Sequence, residues 1–433
     1  MKFKTLLTFL WFVVFGSSVN AQSELINELN KAIIPIETIS PGSNFTDIEI
    51  LVPLLKDKSV IGLGEATHGT HEFFVYKHRL VKLLSTKADF KILVIEADFA
   101  GSQTMNNYVL YGEGDPLNAL FKMGVGVWMT NEFIAMVEWL RQYNSSQEPE
   151  NKIKFYGCDM QNPQIAAEKT KDYLMAKQEI NSIIETGLDL FVNRNQIKKY
   201  SRSDKKLMKQ TLFEIDNIFK SVNDTNINEY KFIKHCKREL EQYLEYISKG
   251  GGFSRSVGRN KFMAENVKWI CNFENQEKIM FWAHNEHIAI KSNQSKIIPS
   301  GYHLKKEFGD DYYAFGFSFY GGEIRAYNSE LRKYEICSIT EVSVENSADK
   351  IFNQCNKSNF ILDFKSTSKN EEIYEFLDTK YYSRAIGAKY YPVDHINSNY
   401  SFRKLINSFD GLIFFRTTSS SNPIVVADIQ GEN

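Results

Sequence analysis

Val60-Ile61-Gly62-Leu63-Gly64-Glu65-Ala66-Thr67-His68-Gly69 begins as a strand and then turns abruptly to glycine, acid and imidazole. A short apolar run that stops at turn residues is the pattern of a strand buried on both faces. The pattern recurs at Lys91 to Asp98, Ile153 to Asp159, Lys278 to Asn285, Tyr312 to Phe319, Asn359 to Phe364 and Gly411 to Thr417. Amphipathic helical stretches separate these runs. After Thr130, for example, Phe133, Met136, Val137, Leu140 and Tyr143 share one helical face, opposite Glu132, Glu138 and Arg141. Strands alternating with helices predict an α/β fold with a largely parallel central sheet flanked by helices.

Outward from that core, the strand signal vanishes between about Gln164 and Gly252. Met208, Leu212, Ile215, Phe219 and Val222, and then Ile233, Cys236, Leu240, Tyr243 and Ile247, step at helical spacing. Two long antiparallel helices are expected there, forming an inserted lobe or cover, with Gly250 to Gly252 ending the second. The organisation read from the chain is a leader over residues 1–21, a first part of the α/β core over 22–163, the helical insertion over 164–252 and a second part of the core over 253–433. The leader reading rests on Lys2 and Lys4, an apolar run from Leu6 to Phe15, and Val19-Asn20-Ala21 ahead of Gln22. It predicts an exported or periplasmic protein whose mature chain starts at about Gln22. The residue after the cleavage site is not cysteine, and no later run reaches ~18 apolar residues, so no stable membrane anchor is expected.

Composition narrows the partners. Lysine and arginine total 52 against 53 aspartates and glutamates, for a net charge of −1, which gives no reason to expect nucleic acid. The 43% hydrophobic content suffices for a large core. Five cysteines without CxxC spacing exclude a zinc ribbon and allow at most two disulfides, with Cys337 and Cys355 the nearest candidate pair.

In open parallel sheets, ligands bind outside the carboxyl ends of the strands. The first strand ends in Glu65 and leads to Thr67 and His68; the second ends in Glu96 and Asp98; the third ends in Asp159; the fourth runs into His284-Asn285-Glu286-His287. Ionisable groups on four strand tips mark that edge as a site. A carboxylate on one imidazole nitrogen fixes the tautomer and raises the basicity of the other, so Glu65 or Glu96 could prepare His68 to deprotonate water. His284 with His287, and His68 with His71, also have a spacing that suits chelation, so a metal cage with Glu65 and Glu96 is the rival mechanism. Arg255 and Arg259 open the helix before the fourth strand, where one could stabilise an oxyanion. Other templates fail. Thr67 breaks the dinucleotide glycine pattern begun at Gly62, and no phosphate-loop motif or Gly-x-Ser-x-Gly elbow is present. If an ester is cut, water rather than serine is the attacker.

Ile61 to Thr70, with Glu72-Phe73-Phe74 and Lys77-His78-Arg79, resembles the signature of the erythromycin-esterase family. The resemblance runs on through Ile95-Glu96-Ala97-Asp98, Trp128-Met129-Thr130, Trp139-Leu140-Arg141, Gly157-Cys158-Asp159-Met160, Met263-Ala264-Glu265-Asn266, Ala283 to Ile288 and Phe409 to Leu412. It implies an α/β core with a helical cover and a cleft lined by acids and histidines. Its best-known members open the lactone of fourteen-membered macrolides, with a motif histidine as general base and no metal. That histidine falls on His68, its glutamate on Glu65, the second acid on Glu96 and the second histidine on His284. The arginine ahead of Met263 falls on Arg259, or less securely on Arg255. A further family arginine has no firm counterpart, since Lys77 and Arg79 both lie close. His71 stands outside the pattern, which weakens the metal cage.

The expectation is therefore an exported lactone or carboxylic-ester hydrolase working by His-activated water, without a cofactor, on a small molecule. Catalytic roles go to His68, Glu65, Glu96, His284 and Arg259; substrate contacts go to His287, Asn285, Asp159, Arg255 and Thr67. The other reading is a non-catalytic envelope protein, binding a ligand or handling polysaccharide or metal with the same cluster.

Overall fold

The computed structural model describes residues 22–424, except 125, 198, 222–224, 292–296, 340–343 and 393–394. The leader expected over 1–21 and the stripe residue Val222 lie outside the described residues. In chain order the strands are β1 (Ile34–Pro35), β2 (Val60–Leu63), β3 (Ile92–Asp98), β4 (Lys154–Asp159), β5 (Ile279–Trp282), β6 (Tyr312–Asn328), β7 (Lys333–Ile339), β8 (Asn359–Asp363), β9 (Lys380–Arg384), β10 (Lys389–Tyr390), β11 (Tyr400–Lys404) and β12 (Gly411–Thr418). Helices around the site are α1 (His71–Lys87), α2 (Asn131–Ser145), α3 (Gln164–Ala176), α4 (Ser182–Val192), α5 (Arg202–Ser221), α6 (Ile227–Ser248), α7 (Gly252–Phe273) and α8 (Asn285–Ile288).

The main sheet runs β1-β8-β12-β6-β2-β5-β3-β4. From β12 to β4 every neighbouring pair is parallel, whereas β8 and β1 join antiparallel at one edge. Each of the seven runs read as strands is a strand of this sheet, so the largely parallel α/β architecture stands. The chain lays β3 and β4 to one side of β2, returns to insert β5 between β2 and β3, and then crosses to place β6 on the other side of β2. That reversal puts a topological switch at the tips of β2 and β5, where a crevice opens.

The strands are apolar throughout because each face has its own core. Val60, Ile92, Val94, Ile279 and Phe281 belong to one hydrophobic cluster; their neighbours Ile61, Leu93, Ile95, Met280 and Trp282 belong to the other. This is the period of two expected when helices cover both sides. On the second side, α2 begins at Thr130, whose Oγ1 accepts the Phe133 N–H at 3.2 Å, and it buries Phe133, Met136, Val137 and Leu140.

On the first side lie α3 to α6. Met208, Leu212 and Ile215 of α5, and Ile233, Cys236, Leu240 and Tyr243 of α6, share one continuous cluster with the sheet. Their apolar stripes are therefore buried against the α/β body as well as each other.

Two expectations change. β6 does not stop at Phe319 but continues to Asn328, where it pairs antiparallel with β7 and parallel with β10. Its second half is one-sided, with Ile324 and Ala326 buried, and the double-sided apolar signal ends earlier for that reason. The Cys337–Cys355 pair does not form. All five cysteines are free, and these two lie in opposite clusters, on different faces of the sheet.

Candidate functional site

β2, β5, β3 and β4 end side by side, so their tips bring together groups far apart in sequence. After β2 the chain leaves the sheet at Gly64. A Cβ there would lie 2.2 Å from Asn285 Oδ1 and 2.8 Å from the Phe315 carbonyl, so only glycine fits. Gly69, one residue past His68, is pinned in turn by the backbone of Arg325, whose N–H donates to its carbonyl at 2.8 Å.

Held between these two fixed points, His68 Nδ1 lies 2.5 Å from Glu65 Oε1. The other Glu65 oxygen accepts from Lys77 Nζ at 2.5 Å and from Trp282 Nε1 at 2.7 Å. Burial would raise the Glu65 carboxyl, but the Lys77 charge and the His68 ring overturn that and bring its pKa to about 2. Burial would likewise lower His68. Its bond to Glu65 and the charges of Glu65 and Glu96 outweigh this and hold it above the ordinary imidazole value. Lys77 is fully buried and is pushed down to about 8 by desolvation despite Glu65, with its ammonium 4.3 Å from the Trp282 ring centre.

His284, at the tip of β5, sits beside His68 with ring centres 5.2 Å apart. Its Nδ1 accepts the Glu286 N–H at 3.2 Å and caps α8. The neutral ring therefore carries its proton on Nε2, a buried donor with no protein partner among the described residues. Burial, and then the neighbouring His68 charge, pushes its pKa down to about 4, so the ring stays neutral near pH 7.

The tip of β3 supplies Glu96, whose Oε2 accepts the His284 backbone N–H at 3.0 Å and whose Oε1 accepts from Arg259 Nη2 at 2.7 Å. Burial opposes ionisation of Glu96, but His287 and Arg259 lower it well below the usual carboxylate range. Arg259 reaches in from α7 and also forks onto Asp159, at 3.0 Å from Nε and 2.6 Å from Nη2. His287 Nε2 is 3.1 Å from both Arg259 Nη1 and Glu96 Oε1; its Nδ1 is 2.6 Å from Asn260 Oδ1.

His68, Glu65, Glu96, His284, Arg259, His287 and Asp159 thus form one connected cluster. Three expectations need correction. Asn285 spends its side chain on the backbone of β6: Nδ2 donates to the Phe317 carbonyl at 2.7 Å and Oδ1 accepts the Phe317 N–H at 3.0 Å. It positions the strand tips rather than meeting a substrate. Thr67 is buried, with Oγ1 directed to the Gly69 N–H at 3.4 Å. Arg255, one turn before Arg259, turns away to the Lys249 carbonyl and the Tyr246 ring, because that turn of α7 borders the end of α6 and not the strand tips. His71 pairs with Glu132 at 2.7 Å, so two His-x-x-His pairs do not converge.

Among the described residues no group of three or more His, Cys, Asp and Glu side chains is arranged for a metal ion. What the sequence did not reveal is that Lys77 is the buried counter-ion of Glu65. Arg79, its rival, points to Asp47 at 2.5 Å and to the Asn44 carbonyl.

A second buried acid pair lies behind the cluster. Asp98 accepts the Gly101 N–H at 2.8 Å and faces Glu239 of α6, which accepts the Ala100 N–H at 3.1 Å. Burial pushes Asp98 up to about 8 and Glu239 well above the carboxylate range, so the two hold a proton. Beside them a cavity of about 740 Å³ opens between strand tips and helical insertion, bordered by Asp98, Asp159, Asn162, Ile165, Arg194 and Tyr334.

A carboxylate-braced imidazole thus stands at the switch point of a parallel sheet, beside an imidazole whose Nε2 has no partner among the described residues. The chain belongs to the erythromycin esterase family, whose model matches residues 86–418, and it is a hydrolase by that membership. The match begins after the Glu65 to His68 segment. The chain is 26% identical to erythromycin esterase type II of Escherichia coli over 377 residues, 77% of this chain and 87% of that one. Its fold is similar to that of a Bacillus cereus protein, with a TM-score of 0.84 and 24% identity over 93% of this chain and 99% of the other. It is also similar to a mutant of the erythromycin esterase EreC in its open conformation, with a TM-score of 0.67 and 15% identity over 89% and 97%.

Proposed function

We propose that this chain is an exported hydrolase that opens a lactone or carboxylic ester with water activated at His68. The observation that carries the reading is the 2.5 Å bond from Glu65 to His68 Nδ1, with Nε2 making no protein hydrogen bond among the described residues. Water gives its proton to Nε2, and the resulting hydroxide attacks the carbonyl carbon. The tetrahedral oxyanion receives the proton-bearing Nε2 of His284, a donor already stripped of water by burial. Collapse breaks the acyl C–O bond, and the leaving alkoxide takes the proton from His68. The products are a carboxylic acid and an alcohol, or one hydroxy acid from a lactone. Glu65 holds the tautomer and stabilises the imidazolium, while Lys77 balances the charge of Glu65. Glu96 and Asp159 hold Arg259 at the rim as a positioning cation.

The likeness to erythromycin esterase type II supports an ester or lactone as the bond, with macrolides among the candidates. Export rests on the leader features of residues 1–21. The ligand-binding alternative is disfavoured because the oxygens of Glu65 and Glu96 are already bonded to internal cations and N–H groups.

The test is incubation with an ester and macrolide panel, followed by mass spectrometry for the gain of one water, with wild type and His68→Ala in parallel. kcat/KM on any substrate found should fall as pH drops through a value above the ordinary imidazole pKa of about 6.5. A flat profile from about pH 5 to 8, or turnover retained by His68→Ala, overturns the assignment.

A further inference from the structure

A cleft of about 250 Å³ on the helical insertion is lined by Arg194, Lys199, Lys205 and Arg255, with Tyr200 and Tyr243. Among the described residues no acidic side chain lines it, although the whole chain carries a net charge of −1. Lys205 is partly neutralised, since its ammonium donates to the Ile247 carbonyl at 2.9 Å, at the negative end of α6. Arg255 Nε bonds the Lys249 carbonyl at 3.3 Å, and Arg194 Nη1 donates to the neutral Asn195 side chain at 3.4 Å. None of the four makes an ion pair among the described residues. The Tyr200 hydroxyl is spent on the Leu190 carbonyl at 3.0 Å, so its ring offers an apolar wall. Like charges held together in a walled recess repel one another and focus a positive potential, an arrangement that an anion relieves. Arg194 also borders the cavity of about 740 Å³ that reaches Asp159 and the strand tips. The cationic recess therefore adjoins a cavity that touches the site cluster at Asp159, the partner of Arg259.

We infer that this cleft is an anion subsite, and that the substrate is an ester carrying a second, remote oxyanion, a carboxylate or a phosphate. This rests on the esterase reading. The cations hold the distal group while the reacting carbonyl lies at the β2 and β5 tips, so the subsite acts on binding and not on the chemical step.

The experiment uses 4-nitrophenyl half-esters of dicarboxylic acids of graded length, their methyl-capped neutral counterparts and phosphate-terminated analogues. These are assayed with the whole protein and with the Arg194→Gln/Lys199→Gln variant. At one chain length the anionic ester should show a KM about tenfold below its neutral counterpart, a ratio worth about 1.4 kcal/mol. The variant should erase that ratio and leave the neutral ester unchanged. The carboxylate and phosphate arms tell which oxyanion fits. Equal KM values at every length, or a preference that survives in the variant, overturn the subsite. If wild type cleaves no ester, the esterase reading fails. Titration calorimetry with decanedioate and with inorganic phosphate then decides the subsite alone: binding by wild type and not by the variant supports it, and absence of binding by wild type overturns it.

Discussion

Glu65→Gln removes a buried charge that holds three partners. In the native protein, Glu65 accepts from Lys77 at 2.5 Å and Trp282 at 2.7 Å and braces His68 at 2.5 Å, while Lys77 has no exposed surface. The amide keeps the shape but leaves the Lys77 ammonium without its counter-charge. Breaking a buried pair in this way costs about 3–5 kcal/mol, a large share of a typical total of about 5–15 kcal/mol. Part of that cost is avoided if Lys77 sheds its proton, so its pKa falls below the native value of about 8.

The sign follows from proton counting. An unfolded lysine titrates at about 10.4. Between the depressed folded value and that figure the unfolded chain binds more protons, so the stability of the variant climbs with pH, at up to about 1.4 kcal/mol per unit. The climb extends below pH 8, where Lys77 gives wild type no such slope. Urea unfolding at pH 6, 7 and 8 measures it. Glu65→Gln/Lys77→Met, with neither charge, should recover most of the stability and none of the activity, because His68 still lacks its carboxylate; the activity deficit should be about 10²–10⁴-fold. If Glu65→Gln lies within about 1 kcal/mol of wild type, or the double variant is no more stable than the single one, Lys77 and Glu65 are not coupled as described.

Three further outcomes are expected. His284→Asn, which keeps an acceptor for the helix cap, should lower kcat by about 10²–10³-fold with little change in KM; a loss confined to KM would make the ring a binding group instead. Gly64→Ala should cost about 1–3 kcal/mol in thermal or urea denaturation, because the new methyl lies 2.2 Å from Asn285 Oδ1, and an unchanged melting temperature would contradict that contact. Asp98 is raised to about 8, so the folded protein binds the extra proton and loses stability as pH rises from about 4 to 8. Asp98→Asn should flatten that decline in a melting series from pH 5 to 8.5, and an unaltered slope would place the shared proton elsewhere.

The sheet was legible because strands buried on both faces carry unbroken apolar runs, and the strand tips were legible because carboxylates and imidazoles cannot belong to such runs. β7, β9 and β11 escaped for the opposite reason. Lys333 to Ile339 alternates polar and apolar residues on a half-exposed hairpin and reads as loop. Lys77 was weighed only beside Arg79, as a stand-in for a family arginine. Yet Phe73, Lys77, Leu80 and Leu84 step along one buried stripe of α1, and a lone cation in such a stripe marks a buried counter-ion. Glu239, between Cys236 and Tyr243 on α6, gave the same kind of signal. The resemblance put Arg259, and less securely Arg255, at the catalytic place, and one helical turn, about 5.4 Å, decides which neighbour each meets. Asn285 looked like a polar group at a site, and only the positions of β2 and β6 reveal that its amide is used up.

That amide has a wider meaning. By giving one hydrogen bond to Phe317 of β6 and receiving one from it, past the end of the intervening β2, Asn285 stands in for a missing rung. The imidazole next to it is consequently registered to the rigid scaffold and not to the loop that bears it. Loops around this crevice can be lengthened or exchanged to alter what is admitted, while the spacing of the two rings is retained.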